Sequence, residues 1–221
     1  MSGKRKVVFE INEFYHVFNR SNGGEQIFHL KNDINRTLEL LSFYKFEQRL
    51  RYSYFRRLNE KEKEEYIKRN SNKKPIVEIL AYALMPNHFH LLLKENRNKG
   101  IQTFLSNFQN SFARFINIKT KRNGALFQRP FKATHIDSEE VLLHISRYIH
   151  LNPVTAFLME FKDLKVSNIT SFPIYVNNDE SFLNVDLIVH LAGSNSKYEK
   201  FVENQVDYQR KLAKIKHLLL D

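Results

Sequence analysis

The 221-residue sequence contains no cysteine. Disulfides, thiolate chemistry and Cys-ligated zinc or iron–sulfur sites are therefore excluded. It also lacks any stretch of about 18 or more apolar residues, so no membrane span is expected. The opening Met1-Ser2-Gly3-Lys4-Arg5-Lys6 is not followed by the apolar run of a signal peptide. A soluble cytoplasmic protein is the expectation. No internal repeat or low-complexity segment stands out. Acidic residues are the minority, 24 against 35 Lys and Arg, which leaves a net charge of +11. That excess favours polyanionic partners, nucleic acid foremost, without separating DNA from RNA or an enzyme from a binder. With 42% hydrophobic residues and 19 Phe, the chain has the apolar material for one large domain with an extension.

The most informative stretch is Met85-Pro86-Asn87-His88-Phe89-His90-Leu91-Leu92-Leu93. Pro86 cannot donate to a sheet ladder and disfavours helix in the residue before it. Residues 76–84 and 88–94 therefore read as two strands joined by a tight turn. Alternate side chains of a strand share a face, so His88, His90 and Leu92 lie opposite Phe89, Leu91 and Leu93. Two imidazoles projecting together from a rigid strand suit chelation of one metal ion. They equally suit a pair of hydrogen-bonded histidines on a half-buried sheet, and the spacing alone does not decide.

Elsewhere the pattern alternates between strands and helices. Residues 13–20 read as a first strand ending at a Gly-containing turn, with His16 more simply structural than functional. Ile34, Leu38, Leu41 and Phe46 mark an amphipathic helix over about residues 32–46, with Asn32 or Asp33 available as N-cap. Residues 49–74 are strongly charged and read as a solvated helical insertion. Apolar positions 101, 104, 105, 108, 112, 115 and 116 define another helix, which places Phe112 in the core and Arg114 toward a basic end. Residues 125–136 read as an irregular strand. Aromatics interleaved with Gln128, Arg129 and Lys132 suit contact with unpaired bases and phosphates, though a packed strand with exposed cations looks the same. The next helix opens with Asp137 as N-cap, buries Val141, Leu142, Ile145 and Ile149, and ends at Pro153. His144, Tyr148 and Asn152 fall four apart on a neighbouring stripe. Beyond residue 160, short helices are expected at 182–192, 198–205 and 208–220.

Four blocks together resemble one family. They are Tyr15 to Arg20, Met85 to Leu92, Gly124 to Arg129, and Arg147-Tyr148-Ile149-His150-Leu151-Asn152-Pro153-Val154. The chain resembles the single-tyrosine transposases of the HUH endonuclease superfamily, most like the REP-associated branch, over roughly residues 13–157. The resemblance implies an α+β fold, a ferredoxin-like antiparallel sheet with helices packed on it. A transposase domain would span 1–157, and a mostly helical C-terminal extension 158–221. It implies Tyr148 as nucleophile and His88, His90 and Asn152 as ligands of a divalent metal, Mg or Mn. It further implies single-stranded or hairpin DNA as partner, held by Arg20, Arg114, Lys121, Arg122, Gln128, Arg129 and Lys132. Many relatives carry another tyrosine where this chain has Phe112, which leaves Tyr148 as the placed nucleophile. Insertion-sequence relatives are commonly dimers and REP-associated ones can act as monomers, so a homodimer stays open. Two other functions fit the same residues: a hairpin-binding relative that does not cut, and a metal-dependent phosphodiesterase that uses water.

Overall fold

The computed structural model describes residues 7–71, 73–177, 179 and 181–211. The basic N-terminal six residues and most of the expected helix at 208–220 lie outside that range. In chain order the elements are β1 (Phe14–Arg20), α1 (Lys31–Tyr44), α2 (Tyr52–Phe55), α3 (Glu60–Ser71), β2 (Val77–Met85) and β3 (His88–Glu95). They continue with α4 (Gly100–Lys119), β4 (Lys132–Ile136), α5 (Glu139–Thr155), α6 (Phe161–Leu164), α7 (Phe172–Asn177), α8 (Asp186–Ala192) and α9 (Asn195–Glu203).

The four strands form one antiparallel sheet in the order β2-β3-β1-β4. This is the βαββαβ arrangement of a ferredoxin-like fold. Met85 pairs with His88, so Pro86-Asn87 is a two-residue turn as the sequence predicts. The alternation expected for β3 also holds. Phe89, Leu91 and Leu93 enter the core beneath α1 and α4, together with Tyr15, Val17, Phe108 and Phe112. Leu92 enters the opposite core with Leu142, Ile149 and Leu151 of α5. At the register shift between Ile79 and Ala81, the successive residues Leu80 and Ala81 both enter the α5-side core, while Ile79, Tyr82 and Leu84 enter the other.

The two-sided sheet is closed at its β2 edge by chain from the C-terminal part. Leu84 N–H donates to Ile169 O at 2.7 Å, and Ser171 N–H to Tyr82 O at 3.1 Å. These bonds occupy the outer edge of β2, which otherwise offers an unpaired ladder. Tyr175 and Tyr198 pack behind α5, both fully buried. Their hydroxyls donate to Leu80 O (2.8 Å) and to Ser146 Oγ (2.9 Å).

Several local expectations are corrected. Asn32 and Asp33 lie inside α1, which Leu30 precedes without a side-chain cap. Asp33 is buried instead, and pairs with Lys119 of α4 at 2.5 Å. Ser138, not Asp137, caps α5 by accepting from Val141 N–H. Val141 is exposed, because the buried stripe of α5 is displaced toward Leu142, Ile149 and Leu151. Residues 125–131 are a loop fixed by a bridge between Ser21 and Phe127, and only Lys132–Ile136 pairs as a strand. The charged insertion is not wholly solvated, since Tyr66 of α3 packs against Phe43 and Phe55. Asn59 and Glu62 cap α3 reciprocally, each side chain accepting from the other's N–H at 2.9 Å.

The link between β3 and α4 rests on one buried carboxylate. Glu95 accepts from Gly100 N–H at 2.8 Å and Ile101 N–H at 2.7 Å, satisfying two of the orphan donors at the start of α4. Burial nevertheless raises the Glu95 pKa, against the pull of these amides. Gly100 is needed because a Cβ there would meet Ile76 O at 2.2 Å. Glu95→Ala is expected to cost about 1–3 kcal/mol by taking the carboxylate acceptor from the Ile101 amide, while Gly100 N–H keeps Arg97 O at 2.9 Å. Gly100→Ala should destabilise as well, by forcing α4 away from β2. Equilibrium urea denaturation checks both, and unchanged midpoints would contradict this account of the junction.

Candidate active site

β3 presents His88 and His90 on the α5 side of the sheet, and α5 crosses above them. A hollow of about 350 Å³ opens between the two. Its lining includes Arg20, His88, His90, Gln128, Tyr148 and Asn152. Five of these residues come from three separate sequence blocks brought together by the β1–β3 pairing and the α5 crossing. The Tyr148 ring stands edge-on to His90, centroids 5.8 Å apart, and to His16 at 5.9 Å. Tyr148 is 44% exposed and forms part of the lining of the hollow.

Each imidazole is oriented through Nδ1. His88 Nδ1 lies 2.7 Å from Asn87 Oδ1, and His90 Nδ1 lies 2.9 Å from His16 Nε2. Both therefore keep Nε2 as the nitrogen left for a ligand, an arrangement typical of metal-binding histidines. Burial keeps them neutral: it pushes His88 down to about 4 and His90 to about 2, with Arg20 adding to both shifts. Burial also lowers His16 to about 4.

Asn152 is positioned by the helix itself. Pro153, expected to end α5, lies inside it, and the helix continues to Thr155. Proline has no N–H for the carbonyl four residues back. Asn152 Nδ2 comes to 3.5 Å from that carbonyl, Ile149 O, while donating to Tyr148 O at 3.0 Å. With Nδ2 committed to the backbone, Oδ1 is the amide atom left to the hollow. Burial raises the Tyr148 pKa, and the Asn152 amide opposes that rise.

Among the described residues no three His, Cys, Asp or Glu side chains converge on a metal position. The donor set available here is two imidazoles and one amide oxygen.

The other residues singled out in the sequence divide. Arg20, Gln128 and Lys132 line the hollow, and Lys132 Nζ also sits 5.8 Å from the Phe18 ring centre. Arg129 is exposed on the same loop outside the lining. Arg114, Lys121 and Arg122 lie apart, around the end of α4. His144 leaves the tyrosine stripe: its Nδ1 lies 2.7 Å from an Arg147 nitrogen and its ring packs on Phe201. Phe112 is fully buried, as its helical spacing predicts. Sequence reasoning undervalued His16 and passed over Asn19, whose Nδ2 donates to Gln109 Oε1 and Gln128 O, both at 3.0 Å. Strand alternation places His16 and Phe18 on one face, but only the register with β3 brings that face against His90.

The fold and this hollow define a class: a ferredoxin-like sheet whose inner strand offers a His-x-His pair to a tyrosine on a crossing helix. Residues 46–152 match the model of the IS200-like transposase family, a span that ends on Asn152 and includes His88, His90 and Tyr148. Through this segment, a little under half of the chain, the protein is similar to the IS200-like transposases. The solved structure of a REP-associated tyrosine transposase bound to a REP hairpin superposes with a TM-score of 0.55 at 15% identity. That match covers 80% of this chain and 86% of the other, and is a likeness of fold. A crystal structure described as a transposase from Deinococcus radiodurans R1 shares 17% identity, with a TM-score of 0.36 over 67% of this chain and 95% of the other. Comparison with curated proteins finds no sequence match. No helix among the described residues is long and apolar enough to cross a membrane.

The buried neutral histidines give stability a defined pH dependence. Unfolded histidine titrates near 6.5. Below that, the unfolded chain binds protons that His16, His88 and His90 refuse until about pH 4 or lower. Their contribution is thus complete above about pH 6.5 and is lost as pH falls toward 4. The urea midpoint should drop between pH 7 and pH 5, with a flatter dependence in His16→Gln; an identical dependence in that variant would contradict the assignment.

Proposed function

We propose that this protein is a transposase that cleaves and rejoins single-stranded or hairpin DNA through a covalent 5′-phosphotyrosine at Tyr148. The observation that carries the reading is that Tyr148, His88 and His90 line one hollow, with the Nδ1 atoms of both imidazoles engaged elsewhere. Tyr148 Oη attacks the scissile phosphorus, its own proton is lost, and the bond to the 3′ oxygen breaks. That oxygen takes up a proton and leaves as a 3′-hydroxyl. Attack by a 3′-hydroxyl on the phosphotyrosine reverses the step and rejoins DNA, with the phosphodiester energy conserved. Burial favours the protonated phenol, so phosphate activation has to offset a weak nucleophile. Arg20 and Lys132 place positive charge beside the hollow to hold the strand.

A divalent cation, Mg or Mn, belongs to this reading, with His88 Nε2, His90 Nε2 and Asn152 Oδ1 as its protein ligands. The residues fit such an ion: both imidazoles are neutral, their Nδ1 atoms are engaged, and the asparagine amide turns its nitrogen to the helix. Bound there, the cation would stabilise charge on the phosphoryl oxygens. The imidazole pair alone would suit Zn or Ni better than Mg, and the choice of Mg or Mn follows the family resemblance.

Labelled hairpin DNA from the flanking sequence, incubated with Mg or Mn and run on a denaturing gel, tests the proposal. A slow protein–DNA band is expected, reduced by at least about 10³-fold in Tyr148→Phe while DNA binding persists. Cleaved product without that band would mean hydrolysis by water. Binding without cleavage under either ion would mean a hairpin-binding relative. His16→Ala should weaken divalent-ion affinity about 10–100-fold, because His90 loses the group that orients it. Calorimetric titration with Mn checks this, and unchanged affinity would remove His16 from the site's support.

A further inference from the structure

The active-site hollow accounts for a small part of the protein's positive charge. A larger groove, about 680 Å³, lies on the other side of the sheet, between α1, α2 and α4. It is lined by Arg36, Arg51, Arg56, Arg57 and Arg114, with Asn110 among its polar residues. Arg36 forms part of its inner wall, with its guanidinium over the Tyr52 and Phe115 rings at 5.2 and 5.0 Å. One of its nitrogens pairs with Glu39 at 3.2 Å, while its Nε is buried with no hydrogen-bond partner. The other four arginines are exposed. No carboxylate among the described residues lies within ion-pair distance of Arg51, Arg56, Arg57 or Arg114. Such a concentration of unpaired guanidinium is costly through self-repulsion unless an anion completes it.

The groove also has a direction. It shares Asn110, Arg114 and Ile118 with a second hollow that holds Lys121, Arg122 and Asn123 at the end of α4. From there the chain runs through residues 124–128 to the Tyr148 hollow, where Gln128 is part of the lining. Asn117 and Asn22 side chains hold this connection, donating to Gly124 O (2.9 Å) and Ala125 O (2.8 Å). The basic lining therefore extends from α2 to the end of α4, where Arg122 pairs with Glu25 at 2.6 Å, and the uncharged segment 124–128 joins that end to the Tyr148 hollow.

We propose that this arginine groove binds backbone phosphates of the DNA at a distance from the bond being cut, as the far end of a track that ends at Tyr148. The inference rests on the DNA reading of the Tyr148 site. Guanidinium forks match phosphate oxygens and read no base, so the groove confers affinity and orientation rather than sequence choice.

Binding of a labelled hairpin and of an unpaired strand, measured by fluorescence anisotropy over a salt series, tests it. The variants are R51A/R56A/R57A/R114A and its all-lysine counterpart, at exposed positions outside the Tyr148 hollow. Each lost phosphate contact lowers the slope of log K against log salt by about 0.9 in duplex DNA and about 0.7 in a single strand. The alanine variant should lose about two to four units of slope on at least one DNA, and the lysine variant should retain the wild-type slope. Loss on the hairpin alone places its stem in the groove, and loss on both places unpaired backbone there. Wild-type slopes in the alanine variant on both DNAs would overturn the proposal, as would equal loss in the lysine variant. Adduct formation in the same samples separates the two claims. Wild type that binds without an adduct sinks the cleavage reading and leaves the slope to judge the groove. Wild type that binds neither DNA sinks both.

Discussion

The pairing of β1 with β3 is the constraint on which the rest depends. It fixes which face of β3 carries Phe89, Leu91 and Leu93 into one core, and so forces His88 and His90 onto the other. A slip of one residue would exchange the two sets, burying imidazoles among phenylalanines and exposing the aromatic face. The core thereby specifies the site: the burial that holds the sheet against α4 also aims both histidines at α5. The same register brings His16 against His90, so the orientation of a candidate ligand is set by a neighbouring strand rather than by its own.

The helix above the sheet is held with comparable care. His150, two residues after Tyr148, is fully buried, with Nε2 2.7 Å from Ser171 Oγ and Nδ1 2.8 Å from the Tyr198 hydroxyl. Burial drives its pKa down to about 3, so it serves as a neutral strut between α5, the β2 edge and α9. The C-terminal helices thus form the backing against which the tyrosine is presented. Pro153 contributes in a different way, by releasing the Ile149 carbonyl toward the Asn152 amide. A residue that reads as a helix terminator in sequence acts as an orienting device in the fold.

Much of this was legible in the sequence because period-two alternation and helical spacing are local signals. The histidine strand, its proline turn, the α4 stripe and the tyrosine helix follow from them, and the family resemblance added the order of the blocks. The asparagine–proline pairing and the Glu95 cap depend on which backbone groups are left without partners, which requires coordinates. His16 illustrates the limit well: its face on β1 is local information, whereas its contact with His90 depends on long-range register. The arginine groove was missed for the same reason. Arg51, Arg56 and Arg57 read as a solvated charged insertion until α1 and α4 bring Arg36 and Arg114 beside them.

The central claim is that the sheet register presents two imidazoles and the Asn152 amide together beneath Tyr148. A crystal structure of the protein soaked with Mn, with data collected for anomalous scattering, tests that most directly. The account predicts one strong anomalous peak bonded to His88 Nε2, His90 Nε2 and Asn152 Oδ1, on the Tyr148 side of β3. A peak held by other residues, or none beside His88 and His90 at saturating Mn, would contradict it.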